Sequence, residues 1–218
     1  MNYTRITFPH LHLSQRDAHK LRGYFGRLFE QESPLLHNHY ADGTLRYRYP
    51  LVQYKVIDGT PTLVGLGEGS DLLTQLFLRM ETLELDGLSY PIDHKAIEVE
   101  AVEPRVDTRL HRYRLAGPCI ALNQRNYARY RELPEAEHPA FLQKMITNHL
   151  VAVLRSLEAD LSQTVMADAQ LQPVPVMYKG QRMLGFRGQI TTNAWLPEAI
   201  GIGKSVSRGF GTLIREGK

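Results

Sequence analysis

Near the C-terminus, two glycine triplets bracket a short polar segment with residue types suited to holding a phosphate: Gly201-Ile202-Gly203-Lys204-Ser205-Val206-Ser207-Arg208-Gly209-Phe210-Gly211. Glycine permits left-handed dihedrals and lets the backbone approach a partner closely. Such a loop can aim main-chain N–H groups at phosphate oxygens, while Lys204 and Arg208 supply the countercharge. Two better-known phosphate motifs do not fit. A P-loop needs a glycine five residues before Gly203, where Glu198 stands, and it follows an early strand and opens a long helix. The dinucleotide fingerprint fails because Val206 occupies the place of its third glycine. Nucleotide hydrolysis and Rossmann chemistry are therefore poor readings. A plain connecting loop is the alternative.

The pattern glycine, apolar, glycine, five residues with Lys or Arg, glycine, any residue, glycine resembles the glycine-rich loop of the CRISPR-associated repeat-processing endoribonucleases of the RAMP superfamily. Every position of it is filled here. The resemblance implies an α+β fold of two tandem ferredoxin-like (RRM-like) domains with a C-terminal glycine-rich loop. It implies a metal-independent endoribonuclease that binds CRISPR repeat RNA and cleaves precursor crRNA within repeats, with no cofactor. The RNA carries its own nucleophile: a base removes the 2′-hydroxyl proton, the oxygen attacks phosphorus, and an acid protonates the leaving 5′-oxygen. The products are a 2′,3′-cyclic phosphate and a 5′-hydroxyl. Histidine suits both transfers because its ordinary pKa lies near neutrality.

The family places its histidine in or just after the first helix–strand connection, which reads Ser33-Pro34-Leu35-Leu36-His37-Asn38-His39-Tyr40. In an extended segment His37 and His39 point to the same side, and the catalytic role is carried to both by position. Tyr47 follows closely, in place to position the 2′-hydroxyl, and Lys55 is in place to stabilise charge on the phosphate. RNA contacts are expected at Gly201, Gly203, Lys204, Ser205, Arg208, Gly209, Gly211, Arg46, Arg48 and Lys55. A non-catalytic repeat-RNA-binding subunit of a CRISPR effector complex is the runner-up, since the glycine loop serves binding in both. Other effector subunits or a second copy of the chain are further candidate partners. An unrelated tandem-RRM protein is a third reading, weakened by the absence of the aromatic RNP signature.

Composition agrees with a nucleic-acid partner more in distribution than in total. Net charge is only +3. Seven arginines nonetheless stand against the single Asp107 between Arg105 and Arg131, with His111, Tyr113, Tyr127 and Tyr130 interspersed. Arg46-Tyr47-Arg48-Tyr49 is a second basic-aromatic stretch. Arginine with tyrosine offers phosphate contacts and flat surfaces for unpaired bases. The lone Cys119 can form no intrachain disulfide and lies in an apolar stretch, which reads as a buried thiol. No membrane span or signal segment is legible, so a cytoplasmic location is expected. No cysteine cluster or carboxylate set completes a metal site around His37 and His39.

The elements that must position these residues follow from periodicity. Asn2–Phe8 reads as a strand, and Leu21, Tyr24, Phe25, Leu28 and Phe29 keep helical spacing behind Ser14. Thr44–Ile57 and Thr62–Leu66 flank the hairpin signal Asp58-Gly59. Ser70 is read as the cap of a second helix, and Ile92–Val102 as the strand that closes the unit, with Ile97, Val99 and Ala101 on one face. That order is ferredoxin-like. It restarts near Pro104, which divides the chain into domains 1–103 and 104–218. The second half reads as strands Arg109–Leu115 and Ala116–Leu122, a long helix from Pro139, and a hairpin about Lys179-Gly180. His149 lies on the apolar face of that helix and reads as a satisfied core histidine.

Overall fold

The computed structural model describes residues 1–29 and 49–217. Two sheet-containing domains make up the chain, each α+β. Contacts within the chain separate Met1–Val102 with Val206–Gly209 from Glu103–Ser205 with Phe210–Lys218.

In the first unit, β1 (Asn2–Thr7), β2 (Val52–Ile57), β3 (Thr60–Leu66) and β6 (Ala96–Ala101) form an antiparallel sheet in the order β2-β3-β1-β6. Helices α1 (Ala18–Leu28) and α2 (Glu68–Leu76) are the crossovers, and a small hairpin, β4 (Thr82–Leu85) with β5 (Leu88–Pro91), precedes β6. This is the ferredoxin-like strand order. It forms because α1 buries Ala18, Leu21 and Phe25 at helical spacing, with Phe29 beyond its end, against the apolar faces of the strands. Phe25 lies at the centre of that contact, stacked on Phe8, Phe29 and Tyr54 with ring centroids 6.0–6.5 Å apart.

Several local readings shift. The helix expected to start at Ser70 begins at Glu68 behind Gly67. Ser70 instead turns its hydroxyl to the buried Thr4 hydroxyl, 2.7 Å away, joining α2 to β1. β6 is shorter than expected because residues 92–95 are an irregular link from the β4–β5 hairpin, with Ile92 N–H turned back to the Glu81 carbonyl at 2.9 Å. As an edge strand it leaves Val99 56% exposed.

The second unit repeats the order. β7 (Arg105–Leu115), β8 (Ala167–Tyr178), β9 (Gln181–Trp195) and β10 (Leu213–Glu216) pair antiparallel as β10-β7-β9-β8. Helices α3 (Gln124–Glu132) and α4 (His138–Ser156) form the first crossover. Leu142, Met145, Ile146, Leu150, Val153 and Leu154 of α4 are buried in the core, and Pro139 sits in its first turn. Residues 116–122 are not the expected strand: Cys119 and Ile120 make only isolated bridges to Phe186 and Lys204. Where the first unit uses α2 as its second crossover, this one uses the glycine-rich segment, whose regular structure is one 3-10 turn, Val206–Arg208.

Candidate functional site

The ends of the glycine-rich segment are tied into the second unit by main-chain bonds. Ile202 N–H donates to the Gly211 carbonyl at 3.0 Å, Gly211 N–H to Pro118 at 2.9 Å, and Lys204 N–H to Ile120 at 3.0 Å. Gly201 is buried and bridged to Thr212. Gly209 N–H turns back to the Val206 carbonyl at 3.3 Å. These N–H groups are therefore committed to the protein's own carbonyls. Gly203 and Ser205 are different: among the described residues neither N–H has a protein acceptor.

The glycines are needed for packing. A Cβ at Gly203 would come within 2.8 Å of the Ile120 carbonyl oxygen and 2.9 Å of Cys119 Sγ, and one at Gly211 (φ +63°) would overlap the Ile202 carbonyl oxygen. Only a residue without a side chain lets this loop lie flat on residues 118–120. The close packing fixes the position of Lys204, whose side chain is exposed. Arg208 is half-buried in the 3-10 turn, and neither cation forms an ion pair among the described residues. Both are available to an anion.

Lys55 departs from its expected place. It lies on β2 with its side chain fully buried, and Nζ donates to the Val206 carbonyl at 2.9 Å. Desolvation lowers its pKa to about 7. In this position it holds the 3-10 turn and does not present a charge to RNA. The reason is packing: every residue of β2 up to Val56 is buried, so the strand has no solvent face for an ammonium.

His37, His39, Tyr47, Arg46 and Arg48 lie outside the described residues. The other histidines are placed. The His149 ring lies 2.8 Å from the Ala121 carbonyl and is held below its ordinary pKa chiefly by burial, as suits a core histidine. His111 faces Asp107 at 3.3 Å, and the His94 and His10 rings lie tilted at 55° with centroids 4.4 Å apart. Cys119 is buried, its thiol pushed up to about 12 by desolvation.

One element was not legible in the sequence. The arginine-rich stretch after residue 122 is helical: α3, capped by Asn123, whose side chain accepts from Asn126 N–H at 2.8 Å. Arg125, Arg129 and Arg131 are exposed on it. Arg129 lies over Phe141 and Arg131 over Tyr127. Asn123 was the available signal, since asparagine is a favoured N-cap; the helix lacks the apolar stripe that ordinarily reveals one, burying only Tyr130. No helix among the described residues is long and apolar enough to cross a membrane.

Comparison with known proteins agrees over the whole chain. A crystal structure of Cas6b superposes with a TM-score of 0.93 at 30% identity, covering 99% of both chains. A crystal structure of the CRISPR RNA processing endoribonuclease Cas6b gives 0.80 at 28% identity, covering 99% of this chain and all of that one. An uncharacterized protein of Methanocaldococcus jannaschii is 30% identical over 142 residues, 65% of this chain and 97% of its own length. The Cas6b N-terminal domain model matches residues 1–103 and the Cas6b C-terminal domain model residues 105–216. On those two matches, which together span almost every residue, the chain belongs to the Cas6b family.

Proposed function

We propose that this protein is an endoribonuclease that binds CRISPR repeat RNA and cuts precursor crRNA within each repeat. The observation that carries the reading is its end-to-end likeness, at 28% identity, to a structure described as a CRISPR RNA processing endoribonuclease. The accessible cations of the glycine-rich loop and the exposed arginines of α3 support an RNA partner. Lys204 and Arg208 contact backbone phosphates, and the unpaired N–H groups of Gly203 and Ser205 add donors of the kind phosphate oxygens accept.

The chemistry is transesterification without a metal. His37 and His39 act as base and acid, with Tyr47 orienting the 2′-hydroxyl. The 2′-oxygen forms a bond to phosphorus as the P–O5′ bond breaks; one imidazole takes the 2′-proton and the other gives a proton to the departing 5′-oxygen. A 2′,3′-cyclic phosphate and a 5′-hydroxyl result.

The test is cleavage of repeat RNA followed together with its binding. Cutting should persist in a strong chelator and should stop, with binding intact, when the nucleotide before the scissile phosphate is 2′-deoxy. His37→Ala or His39→Ala should slow it by about a hundred-fold or more with affinity little changed. If both variants cut normally, the histidine assignment fails. Tight binding by wild type with no cleavage would make the protein a repeat-binding subunit instead.

A further inference from the structure

Beside Lys204 the second unit contains a cavity of about 500 Å³ between the start of α3 and the β8–β9 hairpin, within the roughly 300–1,000 Å³ of small-ligand pockets. Leu122, Val174 and Leu184 supply apolar surface, and Tyr127 lines it from α3. Arg182 and Lys204 are the charged residues of the lining, which also includes the polar Asn123 and Gln124 and contains no aspartate or glutamate. Tyr127 keeps 42% of its surface exposed, and the Arg131 guanidinium lies over its ring, 6.0 Å from the centroid. Neither Arg182 nor Lys204 forms an ion pair among the described residues.

We infer that this cavity is a subsite for one unpaired nucleotide of the bound RNA, its base against Tyr127 and the apolar wall and its phosphates at Lys204 and Arg182. The inference rests on the RNA-binding part of the proposed function. The pairing of chemistries selects the occupant. An aromatic ring with an apolar floor takes a flat hydrophobic face, two cations without a carboxylate take an anion, and a nucleotide carries both within one residue. A paired base has its faces covered by its stacking neighbours, so only an unpaired one can enter. The close packing of Gly203 on Cys119 and Ile120 positions the subsite, because it sets where Lys204 stands. In this arrangement the glycine loop and the nucleotide subsite share one lysine. Phosphate binding by the loop and placement of a neighbouring base then become parts of one contact.

The test is fluorescence anisotropy of the full chain with three RNAs: repeat RNA, the same RNA with single unpaired positions made abasic, and an unrelated single strand of equal length. Tyr127→Ala should weaken repeat RNA by about ten-fold, the size of one base–aromatic stack, while Tyr127→Phe, which keeps the ring, binds as wild type. One abasic position should weaken wild type by a similar factor and cost Tyr127→Ala nothing more, because the two changes remove the same interaction. Arg182→Ala is an independent check that leaves the aromatic wall intact; it should lower the log–log salt slope by about one. The subsite is overturned if Tyr127→Ala and Arg182→Ala bind every RNA as wild type does, or if every abasic loss multiplies with the Tyr127→Ala loss. If wild type binds the unrelated strand as tightly as the repeat, and Tyr127→Ala weakens both, repeat selectivity fails and the subsite stands.

Discussion

Lys55 gives the most quantitative handle on how the glycine-rich loop is held. Its amine is wholly buried on β2, donates to the Val206 carbonyl at 2.9 Å, and has no carboxylate partner among the described residues. Burial lowers its pKa from 10.5 to about 7. A lysine whose folded pKa is depressed costs stability in full below the folded value, where the buried amine must be charged. The cost is relieved as pH rises toward the unfolded value, because the unfolded chain then binds more protons than the folded one. Taking 7 and 10.5 as the two values, wild type should gain about 2 kcal/mol between pH 6.5 and 8.5 from this group alone. Lys55→Met keeps the length of the side chain and removes the titration. It leaves the Val206 carbonyl without its donor, a loss of roughly 1–3 kcal/mol that does not vary with pH. Urea unfolding of both proteins at several pH values isolates the effect, since the other titrating groups cancel in the difference. Above pH 8.5 each protein separately loses stability as unfolded Cys119 and Tyr113 ionise, since burial holds both near 12 in the folded state, and that loss too is common to the pair. A difference between wild type and Lys55→Met that stays flat over the window would refute the buried, unpaired amine.

Three further outcomes are expected. Gly211→Ala should cost about 2 kcal/mol or more by thermal or urea unfolding, since the new Cβ overlaps the Ile202 carbonyl at a positive φ; an unchanged midpoint would mean the loop can rearrange freely. Lys204→Ala combined with Arg208→Ala should weaken repeat RNA and flatten its salt dependence by about one log–log unit for each phosphate no longer neutralised, and equal binding at every salt concentration would make the loop purely structural. Cys119 at pH 8 should react with a thiol reagent about a thousand-fold more slowly in the folded protein than in urea, because burial suppresses its thiolate; labelling at the unfolded rate would contradict its burial.

Much of this molecule follows from local rules. Asp58-Gly59 and Lys179-Gly180 adopt the positive φ pairs that join β2 to β3 and β8 to β9, and the apolar stripes of α1 and α4 mark their buried faces, because turn geometry and helical spacing depend only on near neighbours in sequence. The spacing of the glycines in the C-terminal loop is likewise legible, and with it the family likeness. What those glycines do is decided elsewhere. Residues 118–120 and Ile202 press against them, and the N–H groups of Ile202, Lys204, Gly209 and Gly211 are spent on the protein's own carbonyls, a fact no loop pattern contains. Lys55 reads as a cation for the RNA phosphate, yet its acceptor is a carbonyl 151 residues away in sequence. α3 escapes periodicity because an arginine-covered helix with one buried residue has no stripe. The cavity beside Lys204 draws its lining from α3, β8, β9 and the loop. Residue types and spacing determined which groups this protein has for handling RNA. Packing between segments far apart in sequence decided which of them reach solvent and which hold the others in place, because burial and hydrogen-bond satisfaction depend on whatever the folded chain brings alongside.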